Sequence, residues 1–169
     1  SFSGNGLLVV SNSPNFKVLN NTFSFNDVGL SDFNHIVYFH NSGGEVSGNI
    51  FKQNTSNSPF FSEMGGVNPN LYLNIKNNFF LNNNSYNGGG VKINEGYNVR
   101  ISGNLFANNS ATSGGAIYHN ESIINLKILN NTIVNNTASN SGGGLFLGGS
   151  GYPPNLIANN IIWGNEASN

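Results

Sequence analysis

Two acidic residues are set apart by their spacing. Glu95 and Glu121 each lie 17 residues beyond an asparagine, Asn78 and Asn104, that opens the same short motif. A fold that stacks those motifs places the two carboxylates on adjacent layers. Carboxylates one layer apart can reach the roughly 5 Å separation of a retaining glycosidase pair, or hold a calcium ion. They are two of seven acidic residues; Asp27, Asp32, Glu45, Glu63 and Glu166 are scattered over other phases. The following repeat offers no further ligand. The pair therefore reads first as two solvated loop residues in slightly unfavourable proximity, and only second as a binding site.

Arg100 is the single arginine and lies between Val99 and Ile101. Alternation turns it outward from a strand, where it could meet an acidic sugar or simply solubilise the surface. His119 shares the phase of Ile93 and Leu147 and is expected to point inward as a hydrogen-bonded core histidine, since no acid or nucleophile shares its phase. His35 and His40 lack a third metal ligand. The aromatic residues Tyr118, Phe146, Trp163 and Phe79 could face outward and stack on sugar rings, or be covered by a loop or a neighbouring domain. No catalytic residue, metal set or cofactor is assigned.

These residues sit in a chain with a strong internal period. Asn, a residue, Phe or Ile, two residues and Asn recur as Asn21/Phe23/Asn26, Asn49/Phe51/Asn54, Asn78/Phe80/Asn83, Asn104/Phe106/Asn109, Asn131/Ile133/Asn136 and Asn160/Ile162/Asn165. Successive first asparagines are 28, 29, 26, 27 and 29 residues apart, a signature of stacked repeats. Three residues before each first Asn stands a β-branched residue: Val18, Val46, Ile75, Ile101, Ile128 or Ile157. Such residues favour extended backbone and pack on a pleated surface. The residue just before the first Asn is Asn20, Gly48, Asn77, Gly103, Asn130 or Asn159. Gly and, less readily, Asn adopt φ > 0, so this column predicts a left-handed corner.

After that corner, Asn21, Asn49, Asn78, Asn104, Asn131 and Asn160 are placed to stack as an amide ladder. The Phe/Ile column then fills the interior, and the second Asn ends its strand. Gly88-Gly89-Gly90-Val91-Lys92-Ile93, Gly114-Gly115-Ala116-Ile117-Tyr118-His119 and Gly142-Gly143-Gly144-Leu145-Phe146-Leu147 each lead through a turn into a third strand of period two. The expectation is an all-β fold: a right-handed parallel β-helix solenoid of about six coils of 26–29 residues. Each coil has three short strands, one tight corner and two looser loops, and the rod is on the order of 30 Å long. Residues 34–41 and 59–67 lack the Gly-Gly landmark and read as loop excursions; Pro59, Pro69, Pro153 and Pro154 mark loops rather than central strands.

Composition narrows function mainly by exclusion. The chain of 169 residues has net charge −1 and 8% charged residues, with no basic cluster for nucleic acid. Asn accounts for 37 residues, yet 37% hydrophobic content placed periodically argues against disorder. There is no cysteine, hence no disulfide or thiolate site. No apolar run approaches the roughly 18 residues of a membrane-spanning helix. The chain reads as a single segment, 1–169, of a longer protein. Neither end carries an evident polar cap, which leaves end-to-end self-association open.

Gly114-Gly115-Ala116-Ile117, with Phe23-Ser-Phe-Asn26, Phe51-Lys-Gln-Asn54, Phe80-Leu-Asn-Asn83 and Phe106-Ala-Asn-Asn109, resembles the paired GGA[ILV] and FxxN repeats of chlamydial polymorphic membrane proteins, autotransported adhesins with β-helical passengers. Asn159-Asn160-Ile161-Ile162-Trp163-Gly164-Asn165 is similar to the closing coil of secreted, cell-surface bacterial β-helix proteins. The resemblance implies an extracellular or cell-surface adhesin or stalk, not an enzyme. Its partners would be a glycan or the surface of a host or neighbouring cell, bound without a cofactor or membrane insertion of this segment. The alternative is a carbohydrate-active β-helix domain of lyase or glycosidase type.

Overall fold

The computed structural model describes residues 5–31, 33–64, 70–121, 123–148 and 155–168. Every named element among them is a β-strand, and every strand pair is parallel. The fold is a parallel β-solenoid with three principal strands per coil, each contributing to a six-stranded sheet. Wall A comprises Asn5–Ser11, Asn34–His40, Ser58–Glu63, Val91–Ile93, Ile117–His119 and Leu145–Leu147. Wall B comprises Phe16–Leu19, Gly44–Ser47, Leu73–Lys76, Val99–Ser102, Lys127–Leu129 and Leu156–Ala158. Wall C comprises Thr22–Ser24, Ile50–Lys52, Phe79–Leu81, Leu105–Ala107, Thr132–Val134 and Ile161–Trp163. A shorter ladder from Thr55–Ser56 to Glu166–Ala167 follows wall C, and Gly96–Tyr97 pairs Ile123–Ile124 beside wall B.

The register stacks like on like. Val18, Val46, Ile75, Ile101, Ile128 and Ile157 are successive partners in wall B; Phe23, Phe51, Phe80, Phe106, Ile133 and Ile162 are partners in wall C. The four Phe rings stack at centroid distances of 4.9, 4.8 and 4.8 Å, the spacing of neighbouring strands. Phe51, Phe80 and Phe106 are fully buried.

The asparagines fasten the coils at both ends of wall C. Asn49 donates its backbone N–H and its Nδ2 to Asn78 Oδ1 at 2.9 and 3.0 Å, and Nδ2 also reaches back to Val18 O at 2.8 Å. Asn78, Asn104 and Asn131 repeat this set. The second asparagine does the same: Asn54, Asn83, Asn109 and Asn136 form a parallel ladder beyond the strand end. These amides are buried, and the pattern satisfies both the side chain and a corner N–H that has no sheet partner.

The first corner is left-handed throughout: Asn20, Gly48, Asn77, Gly103, Asn130 and Asn159 all have positive φ. At Gly103 a Cβ would lie 2.6 Å from Asn77 Oδ1, so a side chain there would have to push the leaning amide of the previous coil aside.

Three expectations are corrected. One corner per coil becomes at least two, because Phe25, Gln53, Asn82, Asn108, Asn135 and Gly164, just before the second Asn, also have positive φ. Residues 34–41 and 59–67 are not loop excursions in their described parts. Asn34–His40 and Ser58–Glu63 are the long strands of wall A, with seven and six residues. Pro59 lies inside the second of these, between neighbouring strands; the register passes from His35↔Ser58 to Val37↔Phe60 and leaves out a pair at the residue without an N–H. Pro69, Pro153 and Pro154 lie outside the described residues.

Candidate functional site

Wall A is the face on which the repeat is least uniform, and its outward column carries most of the chemistry. Tyr38, Phe61, Lys92, Tyr118 and Phe146 are successive register partners. Their neighbours on either side along each strand turn inward: Val37, Phe60, Val91 and Ile117 are in the core, and so are Phe39 and Ile93. The outward column is therefore aromatic, interrupted once by a cation.

The column has a closed half and an accessible half. In the closed half Tyr38 and Phe61 are each 5% exposed and stack at 4.9 Å. His35 lies against Phe61 at 4.3 Å. Lys92 sits 5.0 Å above the Phe61 ring and donates to Asn57 Oδ1 at 3.1 Å. Tyr38 donates its hydroxyl to Glu63 Oε2 at 2.8 Å and lies 3.3 Å from His40 Nδ1. Burial, then the hydrogen bond to Glu63 and that residue's charge, push the Tyr38 hydroxyl far above its ordinary range. These groups are engaged with one another.

In the accessible half Tyr118 and Phe146 stack at 5.0 Å with rings 10° apart and are half-buried, while Tyr86 is 43% exposed. Glu95 and Glu121 lie beyond the ends of the wall A strands of adjacent coils. Glu121 is exposed, but its carboxyl is raised from its ordinary value, by partial desolvation first and then by the charges of Glu95 and Glu63. Lys92 opposes the shift, and a hydrogen bond with Glu95 adds to it. The Tyr118 hydroxyl is raised by burial first, then by Glu121 and Tyr86. The platform thus sets flat apolar rings beside a pair of carboxyls on adjacent coils.

The structure brings Glu95, Glu121 and Lys92 together, and adds Glu63, which spacing alone did not group with them. Arg100 is not part of this cluster. It projects from wall B, donates weakly to Ser102 Oγ at 3.4 Å, and lines an open depression of about 240 Å³ with Tyr72, Asn74, Asn98, Asn125 and Lys127. Lys17, Lys76 and Lys127 share that wall, where Lys76 pairs with Glu45 at 3.2 Å. Charge therefore segregates, with wall B mainly basic and the far end of wall A acidic.

His119 faces inward, 3% exposed, with Nδ1 3.4 Å from Ile93 O. Burial lowers its pKa against the opposing effect of that contact, so it is a neutral core group. Among the described residues no set of three or more His, Cys, Asp or Glu is placed to hold a metal ion, and no helix is long and apolar enough to cross a membrane. Phe79 and Trp163 are outward on wall C and 46% and 70% exposed. No protein-family model, curated protein or solved structure matches the chain.

Proposed function

We propose that the chain is a non-enzymatic recognition segment of an extracellular or cell-surface protein, an adhesin-like rod whose wall A binds a glycan. The observation that carries this reading is the Tyr118–Phe146 stack beside Glu95 and Glu121. Stacked rings offer a flat apolar face to the C–H side of a sugar, and the adjacent carboxyls accept from its hydroxyls. The platform's strands are paired in register with the closed half of the column, so the rings are already stacked before a ligand arrives. The likeness of the repeats to chlamydial adhesin passengers points the same way.

The test is retention of neutral and acidic polysaccharides by the wild-type chain, Tyr118→Ala and Phe146→Ala. We expect at least one polysaccharide to bind. Loss of either ring should weaken it about three- to tenfold, given roughly 0.5–1.5 kcal/mol for a stacked aromatic contact. Binding that ignores both substitutions, or its complete absence from the wild type, would sink the proposal.

One observation favours a second reading, a carbohydrate-active domain: Glu121 holds a proton more readily than an ordinary carboxyl, as a general acid must. Release of reducing or unsaturated ends from a bound polysaccharide, with or without calcium and abolished by Glu121→Gln, would establish the enzyme in place of the adhesin.

A further inference from the structure

Wall B carries its positive charge in two different settings. Over its first three coils each lysine has an acid at hand: Lys17 is the register partner of Glu45, and Lys76 pairs with Glu45 at 3.2 Å. On the next two coils the outward residues are Arg100 and Lys127, register partners on adjacent strands. Asn74 precedes them in the same column and Leu156 follows. Like charges directly opposite each other in a sheet repel, and here no strand partner supplies a carboxylate to offset the repulsion. Among the described residues neither side chain is in an ion pair.

The two cations border a concavity. With Tyr72, Asn74, Asn98 and Asn125 they line the open depression of about 240 Å³. Asn98 and Asn125, each two residues before its cation, have φ of 49° and 62°, and Asn125 Nδ2 donates to Asn98 Oδ1 at 2.7 Å. That contact ties the two coils together where the cations emerge. Arg100 Nε donates to Ser102 Oγ at 3.4 Å, while no described residue accepts from its two terminal guanidinium nitrogens. The depression is smaller than the roughly 300–1,000 Å³ of sites for drug-sized molecules, so it suits one small polar group.

We infer that Arg100 and Lys127 form a site for a doubly charged sulfate or phosphate oxyanion, held in the wall B depression across two adjacent coils. A guanidinium fork matches paired oxygens of such a group, and an ammonium beside it acts as a point charge. Two positive charges balance a dianion, where a single carboxylate would leave one uncompensated. Both strands are paired on either side, so the backbone that carries the cations is fixed before the anion arrives. The site is separate from the aromatic platform, and an uncharged oligosaccharide on wall A leaves it open.

The isotopically labelled chain is titrated with sodium sulfate and, separately, with methyl phosphate, at slightly alkaline pH and an ionic strength held constant with sodium chloride. The amide resonances of Asn98, Arg100, Asn125 and Lys127 should shift and saturate, with half-saturation in the roughly millimolar range expected of exposed charged contacts. Tighter binding of methyl phosphate would assign the site to an ester on a larger molecule, and tighter binding of sulfate to a free ion. Arg100→Gln and Lys127→Gln should each weaken binding about fivefold or more. Lys17→Gln and Lys52→Gln remove the same charge from elsewhere on the surface and should change it less than about twofold. Shifts that rise without saturating for both probes, or equal losses in all four variants, overturn the inference.

Discussion

An interior asparagine of this solenoid carries more than a surface polar residue would. Asn104 donates to Ile75 O and Asn131 Oδ1 and accepts from Asn78 on the previous coil, all in a buried corner. Its removal leaves several groups without partners, each costing about 1–3 kcal/mol. Asn104→Ala should therefore lower unfolding free energy by about 3 kcal/mol or more in denaturant titration. Asn21→Ala, exposed at the start of the same ladder, should cost under about 1 kcal/mol. Equal costs would mean that the ladder is incidental to stability.

Two titrations act at this scale with opposite sign. Glu121 is raised in the fold, so the folded chain holds that proton more tightly than the unfolded one. Its contribution is most favourable below the ordinary carboxylate range and is lost as pH rises through the raised value. Glu121→Gln should raise the melting temperature at pH 7 and have little effect in acid; a lower melting temperature at pH 7 would contradict the crowding of Glu63, Glu95 and Glu121. His119 is lowered, so its contribution is complete above the unfolded value of about 6.5 and is lost as pH falls below it. His119→Leu should accordingly flatten the decline in melting temperature between neutral and mildly acidic pH. An unchanged slope would place that histidine in water.

At the scale of the elements, wall C is held by its ring stack and its two corners. Phe80 lies between Phe51 and Phe106 with ring planes 8° and 3° apart. Phe80→Ala should cost about 3–5 kcal/mol, enough at roughly 2–4 °C per kcal/mol to lower the melting temperature by 6 °C or more. Gly103→Ala forces a Cβ against Asn77 Oδ1 at positive φ. It should cost about 1–3 kcal/mol, and a neutral result would argue against the leaning amide.

The same elements show what a single sequence can reveal. The core columns, the first asparagine ladder and the Gly/Asn corner were legible because each admits one or two residue types. The second corner was not, since Phe25 and Gln53 occupy a left-handed position with no local signature. The early strands of wall A were hidden because their turns lack paired glycines and one contains Pro59; what makes them strands is pairing with neighbours 23 to 31 residues away, which no local pattern reports. The aromatic column became visible only once that register aligned Tyr38, Phe61, Tyr118 and Phe146. The carboxyl pair was legible from its phase and Lys92 from its glycine-led strand, but the company of Glu63 came from a hidden strand.

The whole molecule divides labour by wall. Wall C and its amide ladders repeat with little change and supply rigidity, while wall B carries most of the positive charge. Wall A departs from the repeat and gathers the aromatic and acidic groups. In a solenoid each coil contacts its neighbours chiefly, so stability sums over coils and falls toward the ends. The coil of Leu156–Ala158 and Ile161–Trp163, with its core residues half exposed, should exchange its amide hydrogens faster than the interior coils.

The central claim, that recognition resides on wall A and the repeating columns are scaffold, is tested most directly by hydrogen exchange with and without a bound oligosaccharide. Added protection should be confined to Lys92–Glu95, Tyr118–Glu121 and Leu145–Leu147, and the strands of wall C should be unchanged. Protection centred instead on Arg100 and Lys127, in the depression of wall B, would contradict it.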